Sequence, residues 1–518
     1  MRLYPSRPTF HVAVASASLI ALGAAARLPP VVAFGGAMLL AVALGRAIAR
    51  VAVTRLREEG FEMVWDAPAR VHTVARGGTL SLTAEIRNRS AQPVRCVGLR
   101  PVVSSMLSAR VEPTELDLPP RGRAGVEVTV HTDRVGRWGI HGLALEVRGT
   151  PVGGEGLYEV PLLFASPLGV EVLPRSLALL HTSPRGGRAR RASETGRPAA
   201  AAGEGEELRE LRDHAPGDAF RRIAWRASAR RGKLLVREME RDDLEVLWLV
   251  VDASVELLAG PPGQAPLDRV LDQVADRATR CLRRGCRVGL VVTSSRLRAW
   301  VPPGQGAAQA VAIASALAGA ASCVDEDRSE LDEPEVAVRV AEHARPLDPR
   351  GLADLPKGDI DALAKRADQL RDRAPFAMGD AFASTPREQV LRRYMAAFGM
   401  ESPPRSEGER DKTEGMLAKV LERLASEKPK ASGVHVWALP PTRPGDTAKA
   451  VAILRSRRLE LRWTVPPLEE GVGAGRIHPT AVSEAIDDAV RLRAVSMKTR
   501  GERLLRRMGI RVVAKGAS

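Results

Sequence analysis

Apolar residues change their spacing several times along this chain, and each spacing predicts an element. Phe10 to Ala26, FHVAVASASLIALGAAA, and Val31 to Leu44, VVAFGGAMLLAVAL, are nearly unbroken apolar runs separated by little more than Arg27-Leu28-Pro29-Pro30. Each approaches the length that crosses a hydrocarbon layer of roughly 30 Å, and the second reaches Ala49 once Arg46 snorkels toward the headgroups. Residues 1–58 are therefore predicted to hold two transmembrane helices, at about 10–26 and 31–49. Arg2 and Arg7 precede the pair, and Arg46, Arg50, Arg55 and Arg57 follow it. The positive-inside bias then places both ends, and the body, in the cytoplasm under a multi-pass inner-membrane anchor. Two competing readings are a signal peptide cleaved after Ala24-Ala25-Ala26, with Val31 onward as stop-transfer, and a buried soluble hairpin.

From 61 to 174 the period falls to two. Leu80, Leu82, Ala84 and Ile86 share one face of TLSLTAEIRNRS; Val126, Val128 and Val130 repeat the pattern, as do Leu143, Leu145 and Val147. Alternation broken by Arg-Gly, Pro-Pro and Asn-Arg-Ser punctuation predicts an antiparallel β-sandwich-like domain. It contains no catalytic constellation, so it is read either as a partner-binding module that accepts an added strand or as a spacer. Residues 183–205, SPRGGRARRASETGRPAAAAGEG, lack periodicity and read as a flexible basic linker.

Residues 206–518 begin with a charged stretch, Glu207 to Glu238. Pro216-Gly217 predicts a turn, with Asp218 capping a helix that starts at Ala219. Phe220, Ile223, Ala224 and Ala227 recur at helical spacing, Arg222 and Arg226 lie opposite, and Gly232 ends the helix before a strand at Leu234 to Val236. EVLWLVVDAS then reads as a buried central strand, followed by a helical stripe from Leu267 to Leu282, a second buried strand RVGLVVTSS, a hairpin-like return and the helix Ala307 to Ala320. Strand, helix, strand, helix is a doubly wound α/β pattern, and the charged stretch reads as a lead-in docked beside its first strand. An insertion at about 324–410 carries helical patterns at Ile360 to Leu370 and Arg387 to Phe398. A helix at Leu417 to Leu424, strands at Val434 to Leu439 and Leu459 to Val465, a helix at Ala481 to Arg493 and a last strand in GIRVVAKG follow.

GEGEELRELRDHAPGDAFRRIAWRASARRGKLLVREME resembles the signature of the domain-of-unknown-function 58 family. Arg212, Pro216, Gly217, Asp218, Arg222, Trp225, Arg230, Gly232 and Arg237 stand at matching places, whereas His214 replaces the usual tyrosine. The resemblance implies a membrane-anchored protein with a C-terminal von Willebrand factor A-like domain that works with a MoxR-type AAA+ ATPase. Such domains often hold a divalent cation through D-x-S-x-S after the first strand, plus a later threonine. Asp252 and Ser254 match, Glu256 replaces the second serine, and Thr413 is the candidate threonine. The resemblance thus implies a degenerate metal-ion-dependent adhesion site used for protein binding. A metal-free loop is the expectation, with Mg²⁺ on Asp252 and Ser254 as the alternative.

Composition adds constraints. The formal charge of +16 favours anionic partners, either nucleic acid or a lipid surface. Aromatic residues at 3% leave few platforms for base stacking, so nucleic acid is not the expected partner. A basic nucleic-acid or membrane-surface role, read through Arg188, Arg190 and Arg191, is the second hypothesis. Four cysteines lack zinc or disulfide spacing. Glu335, Glu342 and His343 have no familiar metal spacing and read as solvated helix charges. Without a phosphate loop, nucleophile elbow or H-E-x-x-H, a metal-dependent hydrolase is the weakest alternative. The leading expectation is a non-enzymatic adaptor without a cofactor.

Overall fold

A computed structural model describes residues 4–5, 7–91, 93–148, 158–163, 167–181, 198–215, 220, 223–242, 245–353, 355–356, 358–377, 379–470, 472 and 480–513. Two compact units divide the chain: residues 1–172 with 322–403, and residues 173–321 with 404–518.

In the first unit, helices α1 (Arg7–Ala25) and α2 (Pro29–Glu59) form a hairpin turned at Arg27, whose φ is +54°. The windows Pro8–Ala25 and Pro29–Ile48 are each long and apolar enough to cross a membrane. Small residues let the two backbones approach: a Cβ on Gly23 would meet Val32 N at 2.9 Å, and one on Gly35 would meet Ile20 Cγ1 at 2.9 Å. Between Ala49 and Gly60, whose φ is +84°, the chain has neither Gly nor Pro, so α2 runs past the predicted end at 49.

The period-two region forms two antiparallel sheets. One has four strands in the order β2 (Phe61–Asp66), β4 (Thr79–Asn88), β8 (Arg123–Thr132) and β6 (Leu107–Glu112). The other has seven: β1 (Tyr4–Pro5), β10 (Tyr158–Leu163), β9 (Gly136–Arg148), β11 (Leu168–Leu173) and β3 (Val71–Ala75) in order, with β5 (Val94–Val103) on β9 and β7 (Leu116–Leu118) on β5. Leu82 pairs with Val128 and Ala84 with Val126, so the alternating residues meet on one face. With Ile140, Leu143, Leu145 and Val170 they form a shared core, each fully buried aliphatic side chain contributing roughly 1.5–3 kcal/mol.

The insertion is helical, as its pattern predicts, but it does not belong to the α/β unit. Its helices α7 (Glu333–Leu347), α8 (Pro349–Ala353), α9 (Ile360–Gln369) and α10 (Pro386–Ala397) cluster with the sandwich. Glycines permit the close approach. Gly399, at φ +63°, accepts from Gly139 N at 2.9 Å and from Ser104 Oγ at 2.5 Å. Phe376 lies against Gly169, and Arg70 donates to the Asp372 carbonyl at 2.9 Å. Inside the helical layer, fully buried Arg392 donates to Glu388 and to the carbonyls of Val324 and Leu331.

The reading of Glu335, Glu342 and His343 as solvated charges needs correction at His343. Glu335 closes a capping box with Asp332, and Glu342 is exposed. His343 turns inward instead, with Nδ1 2.9 Å from the Tyr394 hydroxyl and Nε2 2.9 Å from His141 Nδ1 of the sandwich. Burial pushes His141 down to about 4; burial and then the His141 charge push His343 down to about 3. Two neutral rings satisfy each other as donor and acceptor, whereas two charged rings would set N–H against N–H. Below about pH 6.5 the unfolded chain takes protons that the fold refuses. Stability is therefore complete above that pH and falls, by about 1.4 kcal/mol per pH unit per histidine, as the pH drops toward 4. Thermal melts of the full chain should show the first unit weakening between pH 6.5 and 5, and His343→Gln should flatten that slope.

The second unit opens with α3 (Arg175–His181) and a two-stranded ribbon, β12 (Pro198–Asp213) antiparallel to β13 (Leu235–Asp242). The predicted basic linker thus becomes strand from Pro198, while Arg188, Arg190 and Arg191 lie outside the described residues. The charged lead-in pairs with itself in this ribbon and adds no strand to the main sheet. That sheet has six strands in the order β16 (Leu297–Gly304), β15 (Arg287–Thr293), β14 (Val246–Asp252), β17 (Gly433–Trp437), β18 (Glu460–Thr464) and β19 (Arg511–Val512). All neighbours are parallel except β15 and β16. Every residue of β14 is buried, so both faces are covered. Helix α5 (Pro266–Arg283) packs on β14 and β15 and against α6 (Gly306–Ala320). Trp248 and Val250 share a core with α11 (Arg410–Ser426) and α12 (Pro444–Ser456).

Candidate functional site at the carboxyl edge of the sheet

Strand order reverses at β14, which has β15 on one side and β17 on the other, and chain leaving neighbouring strands in opposite directions opens a crevice at their carboxyl ends. Asp252 is the last residue of β14 and Trp437 the last of β17. Asp252 Oδ1 accepts the Ser254 N–H at 3.0 Å, and Oδ2 faces Arg410 Nη1 at 3.4 Å. Arg410, the first residue of α11, also donates Nε to Glu414 Oε1 at 3.0 Å and Nη2 to the Pro440 carbonyl at 3.0 Å. Glu414 in turn accepts from Thr442 N, Thr442 Oγ1 and Arg443 N, at 2.8, 2.9 and 3.1 Å. One guanidinium thereby ties the end of β14, the start of α11 and the segment after β17.

The sequence-predicted loop residues do not form an exposed contact surface. Asp252 is 1% exposed, and Ser254 and Thr413 are 3% exposed. The Thr413 hydroxyl donates to the Glu409 carbonyl of its own helix at 3.2 Å, as residues one turn apart do. Of the four, Glu256 lines a cavity among the described residues. It sits in a short 3-10 turn, Val255–Leu258, with Gly408 against its carboxylate. Arg410, which sequence reasoning passed over, is the residue that answers Asp252. Its only signal was an Arg-x-x-x-Glu pair opening a helix, a pattern that usually marks a solvated face.

Mg²⁺ demands an octahedron of oxygens and a negative surrounding. Here a guanidinium already neutralises Asp252, the Thr413 hydroxyl is turned to its helix, and among the described residues no three His, Cys, Asp or Glu side chains gather to hold a metal. These residues do not fit Mg²⁺.

The cavity, about 230 Å³, lies at the carboxyl ends of β17 and β18 and against α13 (Ala481–Arg507). Leu439, Pro440, Val465, Leu468 and Met497 supply apolar wall, and Glu256, Arg410, Glu469 and Lys498 supply charge. Lys498 Nζ holds Glu469 Oε1 at 2.9 Å. Glu256 Oε2, Glu469 Oε2 and Ser254 Oγ are buried without a hydrogen-bond partner among the described residues. Gly501 lets α13 pass tightly over Pro440, where a Cβ would collide.

The signature residues lie elsewhere. Pro216, Gly217, Asp218 and Arg222 are outside the described residues. Arg212 and Arg237 are in the ribbon, opposite Val236 and Leu211. Trp225 opens α4 (Trp225–Arg231), Arg230 is in its last turn, and Gly232 ends it at φ +68°. The described helix begins later than the predicted Ala219 because Ile223 is held in a β-bridge to Val236. Trp225 is exposed.

Taken together, the chain is a multi-unit protein with an apolar helical hairpin, an antiparallel sandwich and a mostly parallel α/β sheet. Residues 210–370 match the family model described as "Protein of unknown function DUF58". No curated protein matches it. Among solved structures, similarity is found to the ASH / PapD-like domain of human CEP192, at 13% identity and TM-score 0.16, covering 22% of this chain and 87% of that one. It is found also to WR4, a C. elegans MSP family member, at 11% identity and TM-score 0.15, covering 22% of this chain and 96% of that one. Likenesses this partial carry no conclusion about function.

Proposed function

We propose that this protein is a membrane-anchored, non-enzymatic adaptor whose second unit is a von Willebrand factor A-like domain that grips a protein partner, a MoxR-type AAA+ ATPase. The observation that carries this reading is the cavity at the carboxyl ends of β17 and β18, beside the strand-order reversal, together with an exposed apolar stripe on α13. Val482, Ile486, Val490 and Met497 recur at helical spacing and stand between 44% and 71% exposed, and Met497 leads into the cavity. Contiguous apolar surface on an otherwise charged helix marks an interaction site. The strand order, with one antiparallel strand beyond the second, supports the A-like reading. Two apolar helices flanked by arginines support anchoring with the body in the cytoplasm. The grip runs through apolar surface and Glu256, not through Asp252 and a cation, because Arg410 occupies that carboxylate.

Capture of a MoxR-type ATPase by the detergent-solubilised full chain tests the reading, with and without nucleotide and Mg²⁺. Capture is expected in at least one nucleotide state, and Ile486→Asp with Val490→Asp should weaken it by roughly a hundredfold, as loss of two buried apolar contacts does. No capture in any state would remove the ATPase from the proposal, and capture indifferent to α13 would remove the surface.

A further inference from the structure

Resting on that adaptor reading, we infer that the cavity receives a basic side chain with an apolar stem, an arginine or lysine presented by the partner polypeptide. Its volume of about 230 Å³ lies below the usual size of a small-molecule pocket and suits one inserted side chain. Apolar walls from Leu439, Val465 and Met497 match a methylene stem. Charge at the site then selects the head group. Among the described residues, Glu256 and Glu469 line the cavity with two cations, Arg410 and Lys498, and both cations are engaged: Arg410 by Asp252, Glu414 and the Pro440 carbonyl, Lys498 by Glu469 Oε1. What remains are Glu256 Oε2 and Glu469 Oε2, buried acceptors with no donor among the described residues. An ionised carboxylate only accepts, and leaving it dry costs the full desolvation of the atom. A guanidinium or ammonium supplies the missing donors and charge. An acidic ligand would be repelled, and a purely apolar one would leave both oxygens unsatisfied. The site therefore has the reverse polarity of a metal-bearing loop, which draws a carboxylate.

Calorimetric titration of the full chain in detergent, with acetyl-Leu-Arg-Leu-amide and its citrulline and glutamate counterparts as probes, tests the inference. The arginine peptide should bind at least roughly tenfold more tightly than the citrulline peptide, which keeps the shape but loses the charge. Glu469→Gln and Glu256→Gln should each erase most of that preference, while Asp446→Asn, at an exposed helix start on α12, should leave it intact. Equal binding of the arginine and citrulline peptides, or a preference untouched by both glutamine variants, overturns the inference. No binding of the arginine peptide while the ATPase is still captured also overturns it and leaves the adaptor reading standing. Charge-selective binding without ATPase capture supports the pocket and sinks the named partner.

Discussion

Arg410→Met should lower the stability of the second unit by about 3–5 kcal/mol, the usual cost of stripping one member from a buried charge network. The substitution leaves Asp252 and Glu414 as uncompensated buried carboxylates and takes a donor from the Pro440 carbonyl. Methionine fills much of the arginine stem's volume, so the loss reports charge and hydrogen bonding more than a cavity. Arg410→Lys should recover only part of it, because an ammonium cannot present the planar fork that reaches three acceptors at once. Adding Asp252→Asn to Arg410→Met should restore some stability, since the combination buries one fewer unpaired charge. Hydrogen exchange at β14 and β17 amides is the measurement. Unchanged protection in Arg410→Met would show that the guanidinium does not hold this edge together.

Gly399→Val should detach the helical layer from the sandwich. Gly399 sits at φ +63°, where a β-branched residue is strained, and any Cβ there would approach Gly139 N to 2.5 Å. The atoms in the way are backbone, so relief requires moving the segment and giving up the bonds from Gly139 N and Ser104 Oγ. A destabilisation of about 3 kcal/mol or more is expected from the strain and the lost bonds combined. Limited proteolysis should then cut within 322–403 at rates well above those of the unaltered protein. Gly399→Ala carries the same backbone strain with a smaller side chain and should show the same pattern more weakly. Resistance equal to the parent in both variants would mean that this contact does not secure the layer.

Much of the architecture could be read from periodicity because periodicity records which face is buried. Leu82, Ala84 and Ile86 alternate since one side of β4 meets the opposite sheet, and β14 is apolar throughout since both of its sides are covered. The inserted helices were visible for the same reason, yet their home was not. What fixes them to the sandwich is a backbone approach between Gly399 and Gly139 and a histidine pair, His141 with His343, each far apart in sequence and neither periodic. The resemblance pointed to the carboxyl end of β14, where Asp252 lies, and did not include Arg410. Thr413 was singled out for its chemistry, while Arg410, one turn earlier on the same helix, carries the interaction with Asp252. Helix α13 runs past the predicted end at Arg493 to Arg507, and Gly501 within it is the small residue that close packing on Pro440 requires.

Neither unit is one continuous run of chain, and this bears on how the protein is made. A ribosome releases every strand of the sandwich first, then β14 to β16, and only afterwards the helices of 322–403 that complete the first unit. Strands β17 to β19 emerge last. Vectorial synthesis therefore holds two half-finished bodies at once, with apolar edges open on both. A nascent chain halted anywhere before Val512 contains no finished second unit, so premature release should yield a substrate for chaperones and proteases instead of a shorter working protein.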